Sequence, residues 1–76
     1  MVKVKMLFNG TRTEVLVPAS YTIRQILTEN GVDYHRGVTN LDGSSLNSDA
    51  ALDKTLAEYG VTTTCMLANV VKTDNA

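Results

Sequence analysis

Apolar and polar side chains alternate from the second residue onward. Val2, Val4 and Met6 interleave with Lys3 and Lys5, and after Asn9-Gly10 a second β-rich run extends from Thr11 to Val17. Alternation of this kind predicts half-buried strands. Asn-Gly between two such runs predicts a hairpin, because a two-residue type I′ turn needs φ > 0 at both positions. A two-residue turn sets Phe8 opposite Thr11, so Met6 meets Thr13, Lys5 meets Glu14, Val4 meets Val15 and Val2 meets Val17. Apolar pairs then share one face, and the opposite charges of Lys5 and Glu14 share the other. A slip of one residue destroys both matches. The expected inner face is Val2, Val4, Met6, Val15 and Val17. The expected outer face is Lys3, Lys5, Leu7, Arg12, Glu14 and Leu16.

The period changes after Pro18, which cannot donate to a ladder and so ends the second strand. Thr22 and Gln25 have the spacing of a capping box, with Tyr21 and Ile26 at the positions of a hydrophobic staple. Ile23, Ile26 and Leu27 form a stripe at helical spacing. Asn30-Gly31 predicts the stop, Gly31 taking the left-handed conformation after the C-cap. A helix this short does not persist alone in water, so it has to lie on the sheet.

The second half is less regular. Asp33 to Arg36 reads as a loop and Val38 to Leu41 as a short strand, followed by an Asp42-Gly43 turn and a single apolar anchor at Leu46. Asn47 to Lys54 reads as a polar loop with a helical turn at Ala50 to Leu52. Thr55 to Val61 reads as a helical turn ending at Gly60. Thr62 to Lys72 is rich in β-branched residues and reads as the last strand. Residues 73–76 read as a frayed tail. A hairpin, a helix and further strands, in that order, predict an α+β sheet with the helix across one face.

Length and charge narrow the function. The chain has 76 residues, room for one domain, taken as residues 1–72 with the tail at 73–76. It is 43% hydrophobic and 20% charged, so a small packed core is expected rather than disorder. A net charge of −1 with no basic cluster argues against a nucleic-acid partner. No apolar run is long enough for a membrane span, and no secretion segment precedes the first strand. A single cysteine makes no internal disulfide. A cytoplasmic location is the expectation.

No catalytic constellation or cofactor site is expected. Cys65 is the only thiol and His35 the only histidine, and the topology does not predict them side by side. His35 alone does not build a metal site. Asp42 to Asp53 has the length of a calcium loop, but Asn47 stands where that loop requires glycine. Asn9-Gly10-Thr11 matches a glycosylation acceptor, which a tight hairpin turn explains better. Asp42, Asp49, Asp53 and Glu58 read as a solvated loop rather than a steering surface for a basic partner.

The chain resembles the ubiquitin-like β-grasp family over about Val2 to Lys72. The resemblance rests on Gly10 in the first turn, Thr22-Ile23 opening the helix, and Leu41-Asp42-Gly43-Ser44-Ser45-Leu46 as a strand–turn–leucine segment. It rests also on Thr55-Leu56-Ala57-Glu58-Tyr59-Gly60-Val61, where the family tyrosine pins the loop before the last strand. The resemblance implies a mixed four-stranded sheet in the order 2-1-5-3, with first and last strands parallel neighbours and one helix packed across one face. It is to a small bacterial-type or sulfur-carrier-like member lacking Gly-Gly at the C-terminus. Conjugated members and sulfur carriers end in Gly-Gly, whereas no glycine follows Gly60. Non-conjugation is therefore the expectation. Asn40 stands where ubiquitin carries the central isoleucine of its receptor-binding patch, so ordinary ubiquitin receptors are not the expected partners.

The open face of such a sheet is the candidate surface. An unpartnered buried Asn69 is costly, which predicts Met66, Ala68 and Val70 inward and Cys65, Leu67, Asn69 and Val71 outward. Leu7, Leu16, Leu67 and Val71 then form the expected partner-binding patch, rimmed by Lys3 and Lys5. The opposite parity of the last strand moves Leu67 into the core and shrinks the patch. The expected function is a non-enzymatic interaction module, an adaptor or subunit that binds a larger protein through this face as a monomer. The alternatives are a C-terminal carrier acting with an activating enzyme, and a structural protein that forms homodimers through the same patch. An added strand on the exposed edge of the second strand is a further binding mode.

Overall fold

The computed structural model describes residues 1–8, 10–46 and 48–71, the side chain of Val71 excepted. Asn9 in the first turn, Asn47 in the rejected calcium loop, Lys72 and the tail at 73–76 lie outside the described residues.

Strands β1 (Val2–Phe8) and β2 (Thr11–Val17) form the hairpin in the expected register, from Phe8 opposite Thr11 to Val2 opposite Val17. Gly10 has φ 76°, the left-handed conformation that the turn demands. Val2, Val4, Met6 and Val17 are buried and Val15 is half-buried, as the alternation requires. Helix α1 (Ile23–Glu29) closes its capping box in both directions. The Thr22 hydroxyl accepts from the Gln25 N–H at 3.1 Å, and the Gln25 Oε1 accepts from the Thr22 N–H at 2.9 Å. The helix stops at the expected place: Asn30 departs from helical geometry, and Gly31 follows at φ 72°. Ile23, Ile26 and Leu27 are buried in one core with the inner side chains of the hairpin.

A 3-10 turn at Tyr34–Arg36, where a loop was expected, leads into β3 (Gly37–Leu41). Asp42 and Gly43 form a second two-residue turn, both at positive φ, 50° and 87°. The chain returns as β4 (Ser44–Leu46), so Leu46 is the inward end of a strand rather than a lone anchor. Helix α2 (Asp49–Leu52) is capped by the Ser48 hydroxyl, which accepts from the Ala51 N–H at 3.2 Å. A 3-10 turn at Ala57–Tyr59 ends at Gly60 with φ 79°, and β5 (Thr64–Val71) completes the sheet. The sheet has five strands in the order β2-β1-β5-β3-β4, with β1 and β5 parallel. The four strands expected from the sequence keep their order, and β4 extends the sheet beyond β3.

The inward face of the last strand differs from expectation. Cys65, Leu67 and Asn69 are buried, whereas Met66 and Val70 are 52% and 56% exposed. Burying Asn69 is costly only where it has no partner, and here it has one. Its Nδ2 donates to the Thr39 Oγ1 at 3.0 Å on the adjacent strand, directly across the ladder. A buried polar pair that satisfies itself removes most of the penalty that an isolated amide incurs. The bulk of Leu67 then decides the parity, because only this orientation places it in the core at 1% exposure.

Candidate functional site

The helix and loops cover one face of the sheet, and among the described residues no element covers the other. On the open face the rows run across the strands. Arg12, Leu7, Ala68, Asn40 and Ser45 make one row, and Glu14, Lys5 and Met66 the next. Leu16, Lys3 and Thr64 make a third, and Val70 pairs with Val38 at the other end. Leu7 lies diagonal to Met66, within reach of a long side chain. Met66, Ala68 and Val70 therefore form an apolar line along β5, flanked by Leu7 and Val38. At strand spacings this line is roughly 13 Å long and the flanked strip roughly 10 Å wide.

The expected partner-binding residues divide. Lys3 and Lys5 are exposed on this face, and Leu7 is half-buried on it. Leu16 is 62% exposed but stands apart, since it faces Lys3 two rows from Leu7. Leu67 was expected outward and belongs to the core. The side chain of Val71 lies outside the described residues, and its main chain pairs with Gly37. Met66, Ala68, Val70 and Val38 take the places of Leu67 and Val71. The parity assigned to Asn69 hid them, and the signal that reveals them is the inward Thr39, an acceptor at the matching register. A groove of about 510 Å³ runs beside Leu7 and Met66, and its open-face walls include Lys5, Arg12 and Glu14. The patch thus has two cations, Lys5 and Arg12, and one anion, Glu14, toward its β2 side, and the neutral pair Asn40–Ser45, joined at 3.1 Å, on its β4 side.

The four acidic residues of the second half do not form one free surface. Asp53 and Asp49 face Arg24 at 2.7 and 3.5 Å, and Arg24 also donates to the Tyr34 hydroxyl at 3.1 Å. These hydrogen bonds raise the guanidinium further above its ordinary value, with Asp53 the chief cause. Arg24 thereby ties α1 to α2 and to the 3-10 turn. Glu58 accepts from the Thr55 N–H at 2.9 Å while the Thr55 hydroxyl accepts from the Glu58 N–H at 3.1 Å. Asp42 accepts from the Met66 N–H at 2.8 Å and extends the β3–β5 ladder past its last residue pair. The Tyr59 hydroxyl donates to the Ala51 carbonyl, holding the loop before β5 as the family tyrosine is expected to do.

Cys65 is buried among apolar side chains. Desolvation first, and Asp42 second, push its thiol up to about 11. A nucleophilic cysteine needs the opposite shift. His35 is exposed and stacks on Tyr34 with ring centres 4.3 Å apart. No helix among the described residues is long and apolar enough to cross a membrane.

The architecture is similar to that of known ubiquitin-like domains. A ubiquitin-like domain from Arabidopsis thaliana superposes with TM-score 0.74 at 20% identity, over 99% of this chain and 81% of that one. A ubiquitin-like protein from Trypanosoma brucei gives TM-score 0.66 at 21% identity over 95% of each chain. Tubulin-binding cofactor B from the same organism gives 0.60 at 21% identity, over 97% of this chain and 98% of that one. No protein-family model and no curated protein sequence matches the chain. The chain has the ubiquitin-like β-grasp fold: α+β, a mixed five-stranded sheet and one main helix.

Proposed function

We propose that this chain is a non-enzymatic protein-interaction module that binds a protein partner through the open face of its sheet. One observation supports the reading above the others. Met66 and Val70, 52% and 56% exposed, stand on the central strand of the sheet, where no element among the described residues covers them. Lys5 and Arg12, which with Glu14 line the groove beside Met66, suit a partner that offers apolar side chains bordered by more carboxylates than cations. Leu7, Ala68 and Val38 supply further burial, and Lys3 and Leu16 lie at the margin. The patch is smaller than a standard interface core, so a transient complex at the low end of the size range is expected. A cytoplasmic setting suits the free Cys65 thiol, which stays reduced there.

The test is site-specific photo-crosslinking of the full chain in its native host. A crosslinker at Met66 is expected to capture one protein in high yield, while one at Gln25 on the far side of the molecule does not. Met66→Glu with Val70→Glu should abolish that complex and leave the circular-dichroism spectrum unchanged. A folded double variant that retains the same partner at wild-type affinity overturns the proposal. Intact mass of the recovered chain reads a carrier role separately, as an adduct at its C-terminus.

A further inference from the structure

The open edge of β2 has a charge pattern complementary to itself. The N–H of Lys3 donates to the Thr63 carbonyl at 2.9 Å, so the main-chain groups of Lys3 face β5. Along a strand these directions alternate. Val2, Val4, Met6 and Phe8 therefore address β2 and bind their opposites Val17, Val15, Thr13 and Thr11. The N–H and C=O groups of Arg12, Glu14 and Leu16 are left pointing out of the sheet, since β2 is the terminal strand. The side chains from Thr11 to Glu14 and that of Leu16 are exposed, and Val15 is only half-buried. Among the described residues, neither Arg12 nor Glu14 forms an ion pair.

We propose that this edge pairs with the same edge of a second copy of the chain, antiparallel and centred on Thr13. In that register Arg12 of each copy faces Glu14 of the other, twice over. Arg12 and Glu14 are the residues whose main-chain groups point outward, so each such pair exchanges two hydrogen bonds. Thr13 meets Thr13 of the second copy, and Thr11 meets Val15 of the second copy, on the helix side. Neighbouring registers are worse. A two-residue shift one way sets Glu14 against Glu14, and a shift the other way sets Arg12 against Arg12. A shift further along brings Arg12 opposite Pro18, which has no N–H to give. Charge complementarity therefore selects both the occupant and the register, as cross-strand pairs do within a sheet.

The arrangement has a consequence for the open face. Residues directly opposite in an antiparallel pair point to the same side, so the two-fold axis runs perpendicular to the sheet. Both copies present Met66 and Val70 on one side of a continuous ten-stranded sheet. The dimer is then bivalent toward a partner carrying two matching sites. Arg12 borders both surfaces, but the outward main-chain groups of β2 and the side chains of Met66 and Val70 do not overlap, so the Met66→Glu/Val70→Glu and Glu14→Arg variants let either proposal fail without the other.

Sedimentation velocity of the full chain from about 10 µM to about 1 mM tests it, the range suited to an interface below about 1,200 Å². The wild-type chain is expected to shift from monomer to dimer across that range. Arg12→Glu alone faces Glu with Glu twice, and Glu14→Arg alone faces Arg with Arg twice. Each is expected to weaken self-association about tenfold or more. An equimolar mixture of the two single variants restores both attractive pairs and should dimerise, as should the double variant R12E/E14R. A wild-type chain that stays monomeric throughout overturns the proposal. So does a dimer that survives both single variants, or one that Met66→Glu abolishes while Arg12→Glu does not.

Discussion

Strands β1 and β5 lie side by side and run parallel, yet they bury their inner faces in different ways. Val2, Val4 and Met6 on β1 are apolar without exception, and the outward positions between them carry lysines. On β5 the buried set is Cys65, Leu67 and Asn69, and the exposed set includes Met66 and Val70. Alternation locates a face only when polarity and burial coincide. On β5 they do not, because a hydrogen bond to Thr39 makes the inside tolerant of one amide and leaves two large apolar side chains outside. A strand that breaks the pattern in this way is where a surface with a use is expected.

The largest effects should come from exchanging the roles of neighbouring residues on β5. Leu67→Ala is expected to cost about 2–5 kcal/mol of stability by urea unfolding, as for other buried leucines. Met66→Ala, one residue earlier, should stay within about 0.5 kcal/mol. Equal losses at the two positions would reverse the assigned parity.

Next comes the polar pair. Asn69→Leu strips the Thr39 hydroxyl of its partner and should cost about 1–3 kcal/mol. Adding Thr39→Val should recover most of that loss, since two apolar groups replace two matched polar ones. Additive losses in the double-mutant cycle would mean that the two side chains are not coupled.

A smaller effect depends on pH. Cys65 holds its proton to about 11 in the folded chain, against 9.0 ordinarily. The folded state therefore binds the proton more tightly than the unfolded state does. The thiol's contribution to stability is complete below pH 9 and declines as pH rises from 9.0 toward about 11. Cys65→Ala should flatten the alkaline slope relative to wild type in denaturation series at fixed ionic strength. An unchanged slope would show that the thiol is not desolvated. The native chain should also resist thiol alkylation at pH 8 until denaturant is added.

The smallest change is expected at Arg24. Its contacts with Asp53 and Asp49 are partly solvated, with Arg24 at 31% exposure and the two carboxylates more open still. Arg24→Gln should cost about 0.2–1 kcal/mol, less at high salt. A larger loss would give the tie between α1 and α2 a structural weight that surface ion pairs rarely have.

The legible parts of the fold share a cause. The first hairpin carries turn chemistry, alternation and a charge pair that all demand one register, and α1 carries both halves of its capping box. Local rules that agree leave few alternatives. The second half was legible only in outline. Strand β4 has three residues, and Leu46 alone carries its inward signal. Its existence depends on the two-residue turn at Asp42-Gly43 and on β3 as a template. The candidate surface was half legible. Lys3, Lys5 and Leu7 follow from the hairpin, whereas Met66 and Val70 follow from a partner for Asn69 that lies 30 residues away in the chain.

Read alone, the chain determined what depends on neighbours in sequence: the Asn-Gly turn, the hairpin register, the helix with its cap and stop, and the turns at Asp42-Gly43 and Gly60. These rest on backbone conformation and on hydrogen bonds spanning a few residues. The tertiary structure decided the inward face of β5, the strand identity of Ser44–Leu46 and the use of the acidic residues as caps and ties. Each of these turns on a partner distant in sequence, Thr39 for Asn69, β3 for β4 and Arg24 for Asp53. A polar group is costly or harmless inside a protein according to what stands opposite it, and only the folded chain brings the two together.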